Sequence, residues 1–141
     1  MDSTQSIFDR FPRPPCADLL GWTLLESDAG QGTAKLAFEG RAEFRNPAGF
    51  VQGGMLAAML DDAMGPAVLI MSGGKLYTAT INLSVDFLAP ARPGRFIADA
   101  RVTQLGKTIA FMEARLSDHE GTVVARATAS ARLVPVEKLP A

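Results

Sequence analysis

Asp61 and Asp62 stand side by side in an otherwise apolar run, GGMLAAMLDDAMGPAVLIM, and Gly53 and Gly54 open it. A carboxylate is costly to leave unpaired among apolar groups, so each acid needs a reason for its place. At the start of a helix the free N–H groups point outward with the positive end of the dipole, and at Gly53 no side chain hinders them. Attack on an acyl carbon needs an oxygen nucleophile, activated or supplied by a carboxylate, and donors aimed at the carbonyl oxygen as it gains charge. Asp61 fits the first role, as base or nucleophile, and the Gly53 amide fits the second. Ala57, Ala58 and Gly65 lie one turn from Asp61 and leave room for a substrate. The competing reading makes Asp61 a structural pair or cap and Gly53-Gly54 a close-packed helix start, while Asp62 reads as solvated or structurally bonded.

Geometry separates the two groups. Gly53 and Asp61 are eight residues apart, about 12 Å along a helix axis at 1.5 Å per residue. One helix cannot bring both to the same carbonyl. Two antiparallel copies related by a two-fold axis can, setting the start of one helix beside the middle of the other. The expectation is a site shared between protomers.

The elements that must position these groups are legible in the pattern. The apolar run from about Gly53 to Ser72 is hydrophobic almost all round and must be buried as a helix. Gly65-Pro66 is expected to kink or break it, and Gly73-Gly74 to end it. Before it, Ser6 to Phe11 places Ile7, Phe8 and Phe11 on one stripe of a short helix that Pro12, Pro14 and Pro15 stop, making residues 1–18 a lid or strap. Cys16 to Leu20 reads as a further turn closed by Gly21. Trp22 to Ser27 and Thr33 to Phe38 read as a hairpin around Asp28 to Gly32, with Gly40 to Phe50 as loop.

After the helix, Tyr77 to Leu88 alternates: Tyr77, Ala79, Ile81, Leu83, Val85 and Phe87 on one face, Thr78, Thr80, Asn82, Ser84 and Asp86 on the other. Arg95 to Leu105, Thr108 to Asp118 and Thr122 to Val134 follow, with turns at Pro90 to Gly94, Gly106-Lys107 and Glu120-Gly121. In the last strand Ala125, Ala127, Ala129 and Ala131 share a face with Val123 and Leu133, which suggests the helix pressed closely against it. Residues 135–141 form a tail. The layout is α+β: a hairpin, a central helix, then a four-strand antiparallel meander, one sheet around one helix in a single domain spanning residues 1–141.

Composition bounds the function. The 141 residues are 48% hydrophobic with net charge −1, the pI is about 5.8 and the mean hydropathy is +0.13. That is enough chain for one core burying roughly two thirds of its unfolded surface. No basic cluster marks a nucleic-acid footprint, so no nucleic-acid partner is expected. A single cysteine, Cys16, excludes an internal disulfide and a multi-cysteine metal site. The N-terminus lacks the basic start and apolar run of a signal peptide, so the expectation is a soluble cytoplasmic protein without a membrane partner.

The stretch Asn46-x-x-Gly49-x-x-Gln52-Gly53-Gly54, with Asp61 nine residues after Gln52, resembles the N-x-x-G-x-x-H-G-G-x6-D signature of hotdog-fold acyl-CoA thioesterases, in particular the phenylacetate-pathway (PaaI-type) branch. Phe87-Leu-Ala-Pro90-Ala and Leu105-Gly-Lys-Thr108-Ile-Ala-Phe111 are similar to the family's strand-end and hairpin patterns, and the resemblance spans roughly Leu19 to Pro135. It implies a hotdog fold and hydrolysis of small to medium acyl- or aryl-acyl-CoA, with coenzyme A entering only as part of the substrate, no other cofactor and no metal. It also implies a homodimer, with dimers pairing further. Asn46, Gln52 and Gly53 would come from one protomer and Asp61 with Thr80 from its partner. Gln52 departs from the family's histidine; it donates and accepts hydrogen bonds but does not titrate near neutrality, so it can position and cannot transfer protons.

Around that centre, Gly54, Phe50 and Met59 are candidate substrate contacts, with Phe8 a further wall for the acyl group. Lys107, Arg92 and Arg95, at turns near strand ends, are candidate contacts for the phosphates of coenzyme A, although isolated basic turn residues are usually just solvated. Thr80 has a competing reading as part of the wet face shared with Asn82 and Ser84, and Asn46 as an ordinary turn residue before proline. His119, the only histidine, reads as a plain surface residue. It stands far from Asp61, which disfavours a hydratase-type enzyme built on an Asp/His pair. A non-catalytic acyl-CoA binding or sensing protein is the other alternative, and the retained Asp61 speaks against it.

Overall fold

The computed structural model describes residues 7–9, 11 and 13–140. Residues 7–9 are helical, and the rest of the expected N-terminal strap, residues 1–6, 10 and 12, lies outside the described residues, as does Ala141. A short helix α1 (Pro15–Leu20) is followed by β1 (Thr23–Asp28), β2 (Thr33–Gly40), the long helix α2 (Gly53–Met71), β3 (Leu76–Phe87), β4 (Gly94–Leu105), β5 (Ile109–Ser117) and β6 (Val123–Pro135). Short 3-10 turns occupy Ala42–Phe44 and Val136–Lys138.

Helix α2 forms because neither glycine nor proline interrupts the run between Gly54 and Gly65 and because nothing but burial suits its apolar side chains. Leu56, Met59, Leu60, Ala63, Met64, Ala67, Val68 and Ile70 are all almost fully removed from solvent, and each large apolar side chain contributes about 1.5–3 kcal/mol on burial. The helix touches every strand. It ends where Gly73 and Gly74 adopt φ of 67° and 83°, which the left-handed turn after a helix requires.

The expected break at Pro66 does not occur. The helix runs unbroken from Gly53 to Met71. Pro66 has no N–H to give the carbonyl of Asp62, four residues back. The indole Nε1–H of Trp22 donates to that carbonyl instead, at 3.0 Å, so the helix loses one internal bond without leaving an orphan acceptor.

A six-stranded antiparallel sheet wraps around α2 in the order β1-β2-β4-β5-β6-β3. This corrects the expected meander. Of the four strands after the helix, only β4, β5 and β6 follow one another as neighbours; β3 pairs with β6 at the far edge and β2 lies next to β4. Residues 88–93 are therefore a crossover rather than a hairpin turn. They span three inter-strand steps, about 14 Å, which six extended residues cover with ease, since they reach about 20 Å. Pro90 and Pro93 suit this path because both favour extended backbone and neither leaves an N–H seeking a strand partner. The crossover is tied down where Leu88 N–H donates to the Val124 carbonyl at 2.8 Å and Val51 N–H to the Ala91 carbonyl at 2.7 Å. Ala125, Ala127, Ala129 and Ala131 do form the buried face of β6, their small side chains letting the helix approach.

Strand β3 also departs from simple alternation. Thr80 pairs with Ala131 and Asn82 with Ser130, so Ile81 is an extra residue, a bulge. Before the bulge Thr78 and Thr80 oppose Leu133 and Ala131; after it Leu83, Val85 and Phe87 oppose Ala129, Ala127 and Ala125. Those β6 residues are buried toward the helix. Thr80 thus does not share a wet face with Asn82 and Ser84; the bulge reverses the phase and turns Thr78 and Thr80 toward α2.

Candidate active site

The loop before α2 builds the first half of the site. Asn46 Oδ1 accepts the N–H groups of Ala48 at 3.0 Å and Phe50 at 3.1 Å, and Asn46 N–H donates to the Phe50 carbonyl at 2.7 Å. This closes the loop on itself and delivers the chain to Gln52, whose N–H donates to the Phe44 carbonyl at 2.8 Å. Gln52 sits at the N-cap, exposed, with no side-chain capping bond. Its carbonyl receives Met55 N–H at 2.9 Å and Leu56 N–H at 3.3 Å. The N–H groups of Gly53 and Gly54 have no acceptor among the described residues, and Gly54 is exposed with open space around it. Two donors therefore stand at the positive end of a nineteen-residue helix, suited to a developing oxyanion.

Two turns on, Thr80 Oγ1–H donates to Asp61 Oδ1 at 2.9 Å. The bond crosses from β3 to α2 within one chain and exists because of the bulge at Ile81. It holds one carboxylate oxygen and leaves the other for chemistry. Gly65, a turn further, admits Thr78 closely: a Cβ there would lie 3.0 Å from Thr78 Oγ1.

Asp62 differs from its neighbour. Its Oδ2 is buried with no hydrogen-bond partner among the described residues, while the residue as a whole is only half-buried. Burial first, and then the charge of Asp61, raise its pKa to about 6 against the pull of Arg13. The same pair of acids, added to burial, pushes up the Tyr77 hydroxyl and the Cys16 thiol. Arg13 lies 5.7 Å from the Trp22 ring centroid and bonds the Trp22 carbonyl. Phe8 packs on the same ring at 5.1 Å, so it supports Trp22 behind the helix.

The remaining candidates scatter. Met59 is fully buried in the core and offers no surface in this chain. Arg92 stacks over Phe50 at 5.5 Å, near the start of α2. Arg95 lies at the start of β4 opposite Glu39, whereas Lys107 lies past the other end of that strand, whose extended length from Arg95 to Leu105 is about 33 Å. Within one chain these three bases do not converge. His119 is exposed in the turn after β5, its Nε2 4.0 Å from Glu120. A surface groove of about 1120 Å³ lies on the outward face of the sheet among Lys35, Asp99, Arg101, Glu113 and Arg115, and Asp61 is not among its lining residues. Sequence reasoning missed Phe87, whose ring covers Gly53, and Trp22, whose bond supports the helix at Asp62. The signal for Trp22 was there, in the donor that Pro66 withholds.

An antiparallel sheet rolled around one buried helix, with free N–H groups at the helix start and a threonine-held carboxylate midway, is the hotdog architecture, and the thioesterase superfamily profile matches residues 48–125. The chain belongs to the thioesterase superfamily and is a hydrolase of thioesters. Within it the resemblance is to the PaaI type. A phenylacetic acid degradation-related protein of Ralstonia eutropha JMP134, described as a thioesterase candidate, is 32% identical and superposes with a TM-score of 0.85 over 92% of this chain and 98% of its own. The Escherichia coli PaaI protein, from the phenylacetic acid degradation operon, shares the fold at a TM-score of 0.81, with 22% identity over 94% of this chain and 93% of its own. A candidate esterase of Halobacterium salinarum is 32% identical over 123 residues, 81% of either chain.

Proposed function

We propose that this chain hydrolyses the thioester of small to medium acyl- or aryl-acyl-CoA in sites shared by two protomers, Asp61 acting as base or nucleophile and Gly53 N–H as oxyanion donor. The observation that carries the reading is the Thr80–Asp61 bond of 2.9 Å, which orients a carboxylate on the helix flank beside the open edge of β3. A single chain leaves Asp61 about 12 Å along the axis from Gly53, so the oxyanion donor must come from a second copy. The edge of β3 supports such pairing: among the described residues its backbone has no strand on one side, and Tyr77 and Ile81 are 45% and 60% exposed there, as an edge that pairs would be.

In the general-base route Asp61 takes a proton from water as the water oxygen adds to the acyl carbon. The carbonyl oxygen becomes an oxyanion bonded to Gly53 N–H; its collapse expels the thiolate of coenzyme A, which receives the proton back from Asp61. In the covalent route Asp61 Oδ2 adds instead, the thiolate leaves, and water cleaves the anhydride. Gln52 and Asn46 orient the thioester. A panel of acyl-CoA substrates followed by free-thiol release, with Asp61→Asn beside the wild type, tests the reading: activity reduced about 10²–10⁴-fold in the variant is expected, and binding without hydrolysis in the wild type would leave an acyl-CoA sensor. Single turnover in ¹⁸O-water separates the routes, since only the anhydride path labels the Asp61 carboxylate. Mixing Asp61→Ala with Gly53→Pro subunits should restore part of the activity, and a complete lack of recovery contradicts shared sites.

A further inference from the structure

Phe87 is an aromatic residue 54% exposed, and its ring does not stand idle in solvent. A Cβ placed on Gly53 would lie 3.1 Å from Phe87 Cζ and 3.2 Å from Cε1, so the tip of the ring rests on the Cα of the residue whose N–H is the oxyanion donor. The backbone beneath the ring is fixed. Phe87 pairs with Ala125 across β3 and β6, and the next residue, Leu88, is tied to the Val124 carbonyl at 2.8 Å. The bulge at Ile81 gives Phe87 its helix-facing phase, as it does for Thr80. Leu88, 50% exposed, extends the apolar patch.

A thioester whose carbonyl oxygen lies within hydrogen-bond reach of Gly53 N–H carries its acyl substituent one bond away from that oxygen's carbon. The Phe87 ring lies against the same residue, in a position to border that substituent. We propose that Phe87 is a specificity-determining residue, the wall that favours flat aryl or straight acyl groups and rejects bulk branched next to the carbonyl. An aromatic face accepts a flat group by offset stacking and gains contact along its whole surface. A branched carbon at the same place meets the ring tip and must push it off Gly53, losing that contact. The inference rests on the proposed acyl-CoA chemistry at Gly53.

Steady-state thiol release is measured for acetyl-, isobutyryl-, benzoyl- and phenylacetyl-CoA with the wild type, Phe87→Ala and Phe87→Leu. The expected result is that Phe87→Ala raises the ratio of kcat/KM for isobutyryl- to phenylacetyl-CoA at least tenfold, with Phe87→Leu between it and the wild type. A structural role alone lowers all four substrates together, and an unchanged ratio in both variants overturns the proposal. Phe87→Leu keeps apolar bulk at the strand edge, so it reports even where the alanine variant does not fold. Gly53→Ala gives an independent reading: its methyl pushes the ring aside, so its substrate ratio should shift in the wild-type background and not in Phe87→Ala. Equal shifts in both backgrounds count against the contact. Failure of the acyl-CoA reading is distinct, since the wild type would then release no thiol from any member of the panel.

Discussion

Trp22 and Pro66 are coupled through a carbonyl that belongs to neither. Pro66 withholds the N–H that Asp62 carbonyl would receive in a regular helix, and Trp22 Nε1–H fills the vacancy at 3.0 Å. The helix carrying Asp61 is thereby continuous at the one position where its sequence should break it.

The coupling is measurable by a double-mutant cycle. Trp22→Phe keeps an aromatic ring against Phe8 and leaves the Asp62 carbonyl unpaired, at a cost of about 1–3 kcal/mol. Pro66→Ala restores a helical donor to the same carbonyl. The double variant should recover about 1 kcal/mol of the loss, beyond the additive sum, in urea denaturation; strict additivity would mean that the indole bond contributes nothing.

Asp62 makes stability depend on pH. Its folded-state pKa of about 6 lies above the ordinary 3.8, so the fold prefers the neutral acid. The stabilisation this preference supplies is complete below pH 3.8 and is lost as pH rises through about 6. Asp62→Asn should remove the downward slope between those values. At pH 7 it should raise stability by on the order of 1–2 kcal/mol, the partial exposure of the side chain reducing the full linkage value. Denaturation of both proteins at four pH values between 4 and 7 checks the sign; parallel curves would contradict it.

Thr80→Val keeps the shape of the strand and removes the donor to Asp61. A bond to an ionised carboxylate at an exposed site is taken at the low end of its range, about 1.5 kcal/mol, which corresponds to roughly a tenfold fall in kcat. Thr80→Ser should retain most of the rate. Equal kinetics for all three proteins would show that Asp61 needs no such support.

Gly40 closes β2 opposite Gly94, and a Cβ there would lie 2.4 Å from Cε2 of Phe96, a ring with 0% exposure. Neither the ring nor the backbone can retreat. Gly40→Ala should destabilise by about 2–3 kcal/mol through overpacking, read as a lowered Tm with little change in the activity of the protein that stays folded.

Much of this protein is written along the chain. The apolar run from Gly53 to Met71 and the strand alternation before and after it identify one buried helix and the strands around it, because burial periodicity is a local property. The separation of Gly53 and Asp61, which motivates the proposed shared site, is local for the same reason, since helix rise alone sets them about 12 Å apart. Strand order is not local. That Pro90 and Pro93 serve a crossover to β4 instead of a turn depends on which edges are free when the sheet closes, and no residue in 88–93 encodes that alone.

The case of Thr80 marks the boundary most clearly. Alternation from Tyr77 to Phe87 is unbroken in the sequence, and it places Thr80 with Asn82 and Ser84. Only pairing with β6 reveals Ile81 as an extra residue, because a bulge is a mismatch between two strands and one strand carries no trace of it. The sequence by itself determined the helix, the carboxylate on it and the donors at its start. The tertiary structure decided which threonine reaches that carboxylate and which aromatic ring covers that glycine, since both follow from a one-residue shift in register that appears when β3 pairs with β6.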